Sequence, residues 1–270
     1  DLDLMTVYDA PADAVSGTRG WSADTFYVRF TQRLISALSA RTAEGGLYEV
    51  DMRLRPSGNK GPVAVSLAGF EKYHLENAWT WERMALTRAR PVAGPPALKR
   101  RVQAVLRAAI TRPGAAEPAL EDAAAMRRRM LRELPADGPW DIKAMPGGLV
   151  EVEFVAQALQ LRHGAERPEV LATPTRVALA RLGKAGVLPA EEAALLVRAD
   201  RLWRTILGML RLTVGRTREE AIPAPAAAAM LRAVAPFLDT PPVDLAGLRT
   251  QMAEMAAEVR AVFEARVGTL

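Results

Sequence analysis

Two short stretches of strict alternation stand apart from a chain otherwise patterned at helical spacing. In the first, Leu2, Leu4 and Thr6 alternate with Asp1, Asp3 and Met5. In the second, Tyr48, Val50, Met52 and Leu54 alternate with Glu49, Asp51, Arg53 and Arg55. Neighbouring strand residues face opposite sides, so each stretch predicts a strand with one apolar and one charged face. Pro56-Ser57-Gly58 ends the second strand, as turn residues do. Between the two, Phe26, Phe30, Leu34, Ile35 and Leu38 recur at helical spacing and predict a helix over 22–43, capped by Ser22 or Asp24. Pro62 to Leu67 reads as a short apolar strand. Ser66 then caps a helix from about Leu67 to Trp81, with Trp79 and Trp81 expected mostly buried between sheet and helices.

Pro91, Gly94, Pro95 and Pro96 mark a boundary. Beyond it the pattern is helical almost throughout, broken at Pro113-Gly114, at 135–148 and at later proline clusters. Apolar stripes such as Leu195, Leu196, Leu202, Ile206, Met209 and Leu210 belong in a core. Long helices with short connections make a bundle. The expected fold class is therefore α+β and mostly helical: a sheet domain over residues 1–95, then a helical bundle over 96–270.

Composition narrows the chemistry. The 270 residues include no Cys and two His, His74 and His163, which leaves almost no material for thiolate or histidine metal sites. No apolar run reaches the roughly 20 residues a membrane helix needs, so a cytoplasmic protein away from membranes is expected. The net charge of +5 invites a nucleic-acid reading. Its basic clusters, Lys99-Arg100-Arg101 and Arg127-Arg128-Arg129, lie on helices, where sequence neighbours point different ways. Aromatic residues are few as well, so no nucleic-acid partner is expected.

What remains is the charged face of the two strands. Side by side they offer three carboxylates, Asp1, Asp3 and Asp51, with Arg53 and Arg55 close by. Carboxylates this close repel unless cations neutralise them. Oxygen ligands suit Mg²⁺, and a pair of such ions clamps the attacking and leaving oxygens of a phosphoryl displacement. A plainer reading leaves Asp1 and Asp3 on a solvated edge strand, with Asp51 paired to Arg53 or Arg55.

Asp1-Leu2-Asp3-Leu4 followed by Tyr48-Glu49-Val50-Asp51-Met52-Arg53-Leu54-Arg55-Pro56-Ser57-Gly58 resembles the nucleotidyltransferase core of the glutamine-synthetase adenylyltransferase/deadenylylase family. The resemblance continues through Ala78-Trp79-Thr80-Trp81-Glu82-Arg83. It recurs at Asp141-Ile142-Lys143 and at Pro146-Gly147-Gly148-Leu149-Val150-Glu151-Val152-Glu153-Phe154. It implies a polymerase-beta-like nucleotidyltransferase domain, cut inside its N-terminal part, from the carboxy-terminal, adenylylating half of such an enzyme.

The implied reaction moves AMP from ATP to a tyrosine of glutamine synthetase, with Mg²⁺ as cofactor. Asp1, Asp3 and Asp51 would then be catalytic and metal-binding, Asp51 also drawing the proton from the tyrosine hydroxyl. Arg53, Arg55 and Lys143 would face the nucleotide. Glu151 and Glu153, at a helix N-terminus, are favoured by the helix dipole in any case. The resemblance also implies regulation by the PII signal protein. Two rival readings are a nucleotidyltransferase acting on RNA or a small molecule, and an inactive module that keeps the fold for binding.

Overall fold

The structure is a computed structural model that describes residues 2–46, 48–215 and 222–270. Asp1 lies outside the described residues. The chain forms two compact units, Asp1–Arg112 and Pro113–Leu270.

In the first unit the strand expected over residues 1–8 is split. β1 (Leu2–Asp3) and β2 (Thr6–Tyr8) join separate sheets. β1 pairs in parallel with β3 (Val50–Asp51), Leu2 opposite Val50 and Asp3 opposite Asp51. β2 pairs in parallel with β4 (Ala64–Ser66). Between β2 and β3 runs α1 (Ala23–Leu38), whose N-cap Ser22 accepts the Thr25 N–H. The Phe26-Phe30-Leu34-Leu38 stripe is helical, as its spacing predicts, yet it stays open, with Phe30 51% exposed. Two strands make a sheet only about 10 Å wide, too narrow to cover such a face.

α2 (Leu67–Lys72) begins where predicted, with Ser66 Oγ 3.1 Å from the Gly69 N–H. It passes into a single π turn at Tyr73–Asn77 and then breaks, before α3 (Thr80–Leu86). The break has a local cause: Glu82 turns back and its carboxylate accepts the Trp79 N–H at 2.8 Å, capping a new helix. The inward positions then go to Glu82, Arg83, Met84 and Leu86. Trp79 and Trp81, expected to be buried, are 70% and 43% exposed. The proline cluster at 91–96 leads into α4 (Pro96–Ile110), which packs on α3 and the π turn within this unit.

The second unit is built from α5 (Ala119–Glu133), α6 (Leu149–His163), α7 (Thr175–Lys184), α8 (Ala190–Thr213), α9 (Ala224–Val234) and α10 (Leu245–Arg266). Among the described residues it holds no strand, in keeping with the bundle expectation. α6 is the hub, packed against α5, α7, α8 and α10. Leu149, Val152, Val155, Ala158 and Leu161 are buried around its whole circumference, as an enclosed helix requires. α8 turns Leu196, Leu202, Trp203, Ile206 and Leu210 inward and leaves Leu195 and Met209 at the margin. Among the described residues no helix is long and apolar enough to cross a membrane.

Candidate active site

The parallel register of β1 and β3 sets Asp3 directly beside Asp51. Paired residues in a ladder share a face, so the two carboxylates project together. The ladder is held by Leu2 N–H to Glu49 O at 2.7 Å and Leu4 N–H to Asp51 O at 2.8 Å. Asp3 is exposed. Asp51 keeps only 14% of its side chain accessible.

β3 ends at Asp51 for a reason visible in its own side chain. Asp51 Oδ1 accepts the Arg53 N–H at 2.8 Å, an Asx turn that competes with the ladder for the backbone. Arg53 then swings its guanidinium onto the same carboxylate, with Nε 2.7 Å from Oδ2. The side-chain bond first, then the backbone bond, hold the Asp51 carboxyl below the usual carboxylate range. The Arg53 side chain itself is 72% exposed.

Alternation along a strand would set Arg55 on the same face as Asp51, and the Asx turn removes that basis. Arg55 folds inward and is 8% exposed, with NH1 2.7 Å from Met52 O and Nε 3.2 Å from Gly61 O. It clips the 52–61 turn shut. Gly61 is needed there, because a Cβ would meet Pro56 O at 2.1 Å. β3 and β4 do not pair with each other, so Ser57–Gly61 is not a hairpin turn; Gly58–Lys60 forms a short 3₁₀ turn instead.

A second set of polar groups braces this turn. Tyr73 Oη donates to Glu82 Oε1 at 2.9 Å, and its hydroxyl faces the backbone of Ser57. Ser57 sits at φ 63°, a conformation costly for a residue with a side chain. Burial, followed by the bond to Glu82, raises the Tyr73 hydroxyl pKa. Beside it His74 is fully buried between Phe70 and Tyr73, and neither ring nitrogen has a hydrogen-bond partner. Burial, helped by the Arg83 charge, pushes its pKa down to about 4. Glu82 was legible as a motif member, but nothing in the sequence announced its bond to Tyr73.

As a metal site, Asp3 and Asp51 supply adjacent hard oxygen donors. This matches what Mg²⁺ takes from a protein when substrate phosphates complete its sphere. Among the described residues no group of three or more His, Cys, Asp or Glu is arranged for a metal. The motif's third carboxylate, Asp1, falls outside them.

A family model described as glutamate-ammonia ligase adenylyltransferase matches residues 1–105, and one described as GlnD PII-uridylyltransferase matches residues 123–266. A bifunctional glutamine synthetase adenylyltransferase/adenylyl-removing enzyme of Rhodopseudomonas palustris (strain TIE-1) is 42% identical over 99% of this chain. Its namesake in Caulobacter vibrioides is 44% identical over the same share. The chain belongs to this adenylyltransferase/adenylyl-removing family. It spans 27% of the length of those relatives.

The family's second motif block lies in the helical unit. The Ile142 and Lys143 carbonyls accept the Leu149 and Val150 N–H groups at 2.9 and 3.3 Å, capping the buried start of α6. Lys143 presents its side chain to solvent. Glu151 points inward to Arg127, with Arg127 Nε 2.9 Å from Oε1, and takes the Gly147 N–H on Oε2 at 2.9 Å. Arg127 NH2 also donates to the Ala144 and Met145 carbonyls. Gly147, at φ 71°, lies against α10, where a Cβ would be 1.9 Å from Ala256 O. Glu153 pairs with Arg204 at 2.7 Å. Sequence reading left Arg127 inside a basic cluster. Only Arg128 and Arg129 of that cluster are exposed.

Proposed function

We propose that the chain carries the nucleotidyl-transfer site of an enzyme that moves AMP from ATP to a tyrosine of glutamine synthetase. The observation that carries this reading is the register of Asp3 beside Asp51, inside the motif shared with the adenylyltransferase relatives. Asp1, Asp3 and Asp51 would hold Mg²⁺, which when bound neutralises phosphate charge and orients the reacting oxygens. The tyrosine oxygen attacks the α-phosphorus and pyrophosphate leaves.

Arg53 gives the site a simple exchange. Its exposed guanidinium leaves Asp51 for a phosphate oxygen of ATP, which it binds as a planar fork. Asp51, freed of the guanidinium, would have an oxygen open to the ion and would accept the tyrosine proton as the attack proceeds. Arg55 serves the same site by fixing the turn that carries Arg53. Lys143 is proposed for the nucleotide on the resemblance of its motif alone. The motif blocks favour the adenylylating half of the enzyme, a cytoplasmic setting and the PII signal protein as regulator.

The test uses a parent protein containing this chain, given ATP with a tracer on the α-phosphate. It is expected to label glutamine synthetase and not RNA. Asp1→Asn with Asp3→Asn should abolish the label while circular dichroism stays helical. Label on RNA, or undiminished labelling by the double variant, would remove the assignment.

A further inference from the structure

A cleft of about 340 Å³ in the helical unit is lined by Arg176 of α7, by Arg201, Arg204 and Thr205 of α8, and by Phe237. Arg201, Arg204 and Thr205 are three and four residues apart, so they share one face of α8. Three guanidiniums around one cleft repel unless anions neutralise them. Two carboxylates do part of this. Asp200, fully buried, takes Arg204 Nε on Oδ1 at 2.8 Å and faces Arg176 Nε from Oδ2 at 3.4 Å. Glu153 takes Arg204 NH2 at 2.7 Å.

The two acids thereby hold Arg204 at the cleft wall, while the half-exposed Arg176 makes only an ion contact with Asp200. Arg201 is different: it has no carboxylate partner among the described residues. Among the described residues, three cations against two anions leave the cleft with one uncompensated positive charge. Thr205 adds a hydroxyl, and Phe237 an apolar wall.

We propose that this cleft binds an oxyanion, the phosphate or carboxylate group of a small molecule whose body rests on Phe237. Guanidinium forks match the paired oxygens of either group. The preformed position of Arg204 reduces the ordering that binding would otherwise require. The inference concerns the helical unit alone and does not rest on the nucleotidyl-transfer reading.

The test uses the 270-residue chain and backbone amide NMR. Inorganic phosphate and acetate are titrated separately, at constant ionic strength held with sodium chloride. The expected result is a saturating shift confined to amides near Arg176, Arg201, Thr205 and Phe237. Arg201→Gln should weaken it about tenfold or more, the loss of one charge-assisted pair. Arg211→Gln, on the same helix but outside the cleft, should leave it unchanged. Saturation by phosphate alone supports a phosphate ester as ligand, and by acetate alone a carboxylate. Saturation by neither, or equal affinity in Arg201→Gln, overturns the proposal.

Discussion

Arg53 closes on Asp51 twice, once through its backbone N–H at 2.8 Å and once through Nε at 2.7 Å. The carboxylate that would receive a metal and a proton is therefore already satisfied in the resting chain. This predicts that Arg53 sets the acidity of Asp51. In Arg53→Ala the Asp51 pKa should rise toward its ordinary value, with the backbone bond still holding part of the depression. The sign follows from linkage. A depressed carboxyl adds stability above its unfolded pKa and loses it as pH falls through the folded value. The variant should thus lose less stability on acidification below the ordinary carboxylate range. Carboxyl-carbon NMR reads the titration; an unchanged Asp51 midpoint in the variant would sink the idea.

His74 should titrate near pH 4. Burial disfavours its charged form, so between about 4 and 6.5 the unfolded chain binds a proton that the folded chain refuses. Stability is complete above 6.5 and falls as pH drops toward 4, by on the order of 3 kcal/mol in all. His74→Phe, which can keep the ring packing on Phe70 and Tyr73, should flatten that fall. The chain has two histidines, so the two imidazole signals are readily assigned. A His74 midpoint near 6.5 would refute the burial argument.

The buried Arg127–Glu151 pair should behave as a unit. Removing Arg127 leaves the buried Glu151 carboxylate only the longer contact to Arg260 at 3.3 Å, so Arg127→Met should cost about 3 kcal/mol. Adding Glu151→Gln removes that charge and keeps an acceptor for the Gly147 N–H. The double variant should therefore recover part of the loss. A urea double-mutant cycle measures the coupling. Strictly additive losses would mean that the two side chains do not support each other.

Much of this architecture is legible from periodicity. The Ser66 cap, Ser22 as one of two candidate caps and the inward face of α8 follow from spacing and turn chemistry. The pairing of Asp3 with Asp51 follows from the motif, since alternation gives a face but not a register. What spacing misses is side chains that compete with the backbone. Asp51 ends its own strand and sends Arg55 inward. Glu82 recaps a helix and turns Trp79 outward. Arg127 leaves its basic cluster because a carboxylate and two carbonyls wait on the inner side of α5. The first two are local bonds that apolar spacing does not encode, and only the Arg127 partners are tertiary.

The last prediction concerns the brace behind the Arg53 turn. Ser57 is held at φ 63°, its backbone facing the hydroxyl of Tyr73, which donates to Glu82. Such a backbone persists only while its surroundings over-determine it. Tyr73→Phe keeps the ring and removes the hydroxyl that faces the Ser57 backbone, leaving Glu82 without one donor. The expected cost is about 1–3 kcal/mol. The loss should also be local. Amide hydrogen exchange should quicken at Arg55, Gly58 and Gly61, whose N–H groups close the turn, while the Leu2 and Leu4 amides of the β1–β3 ladder stay protected. If the turn amides exchange as slowly in Tyr73→Phe as in the parent chain, Arg55 alone holds the turn, and Tyr73 and Glu82 serve only the break before α3.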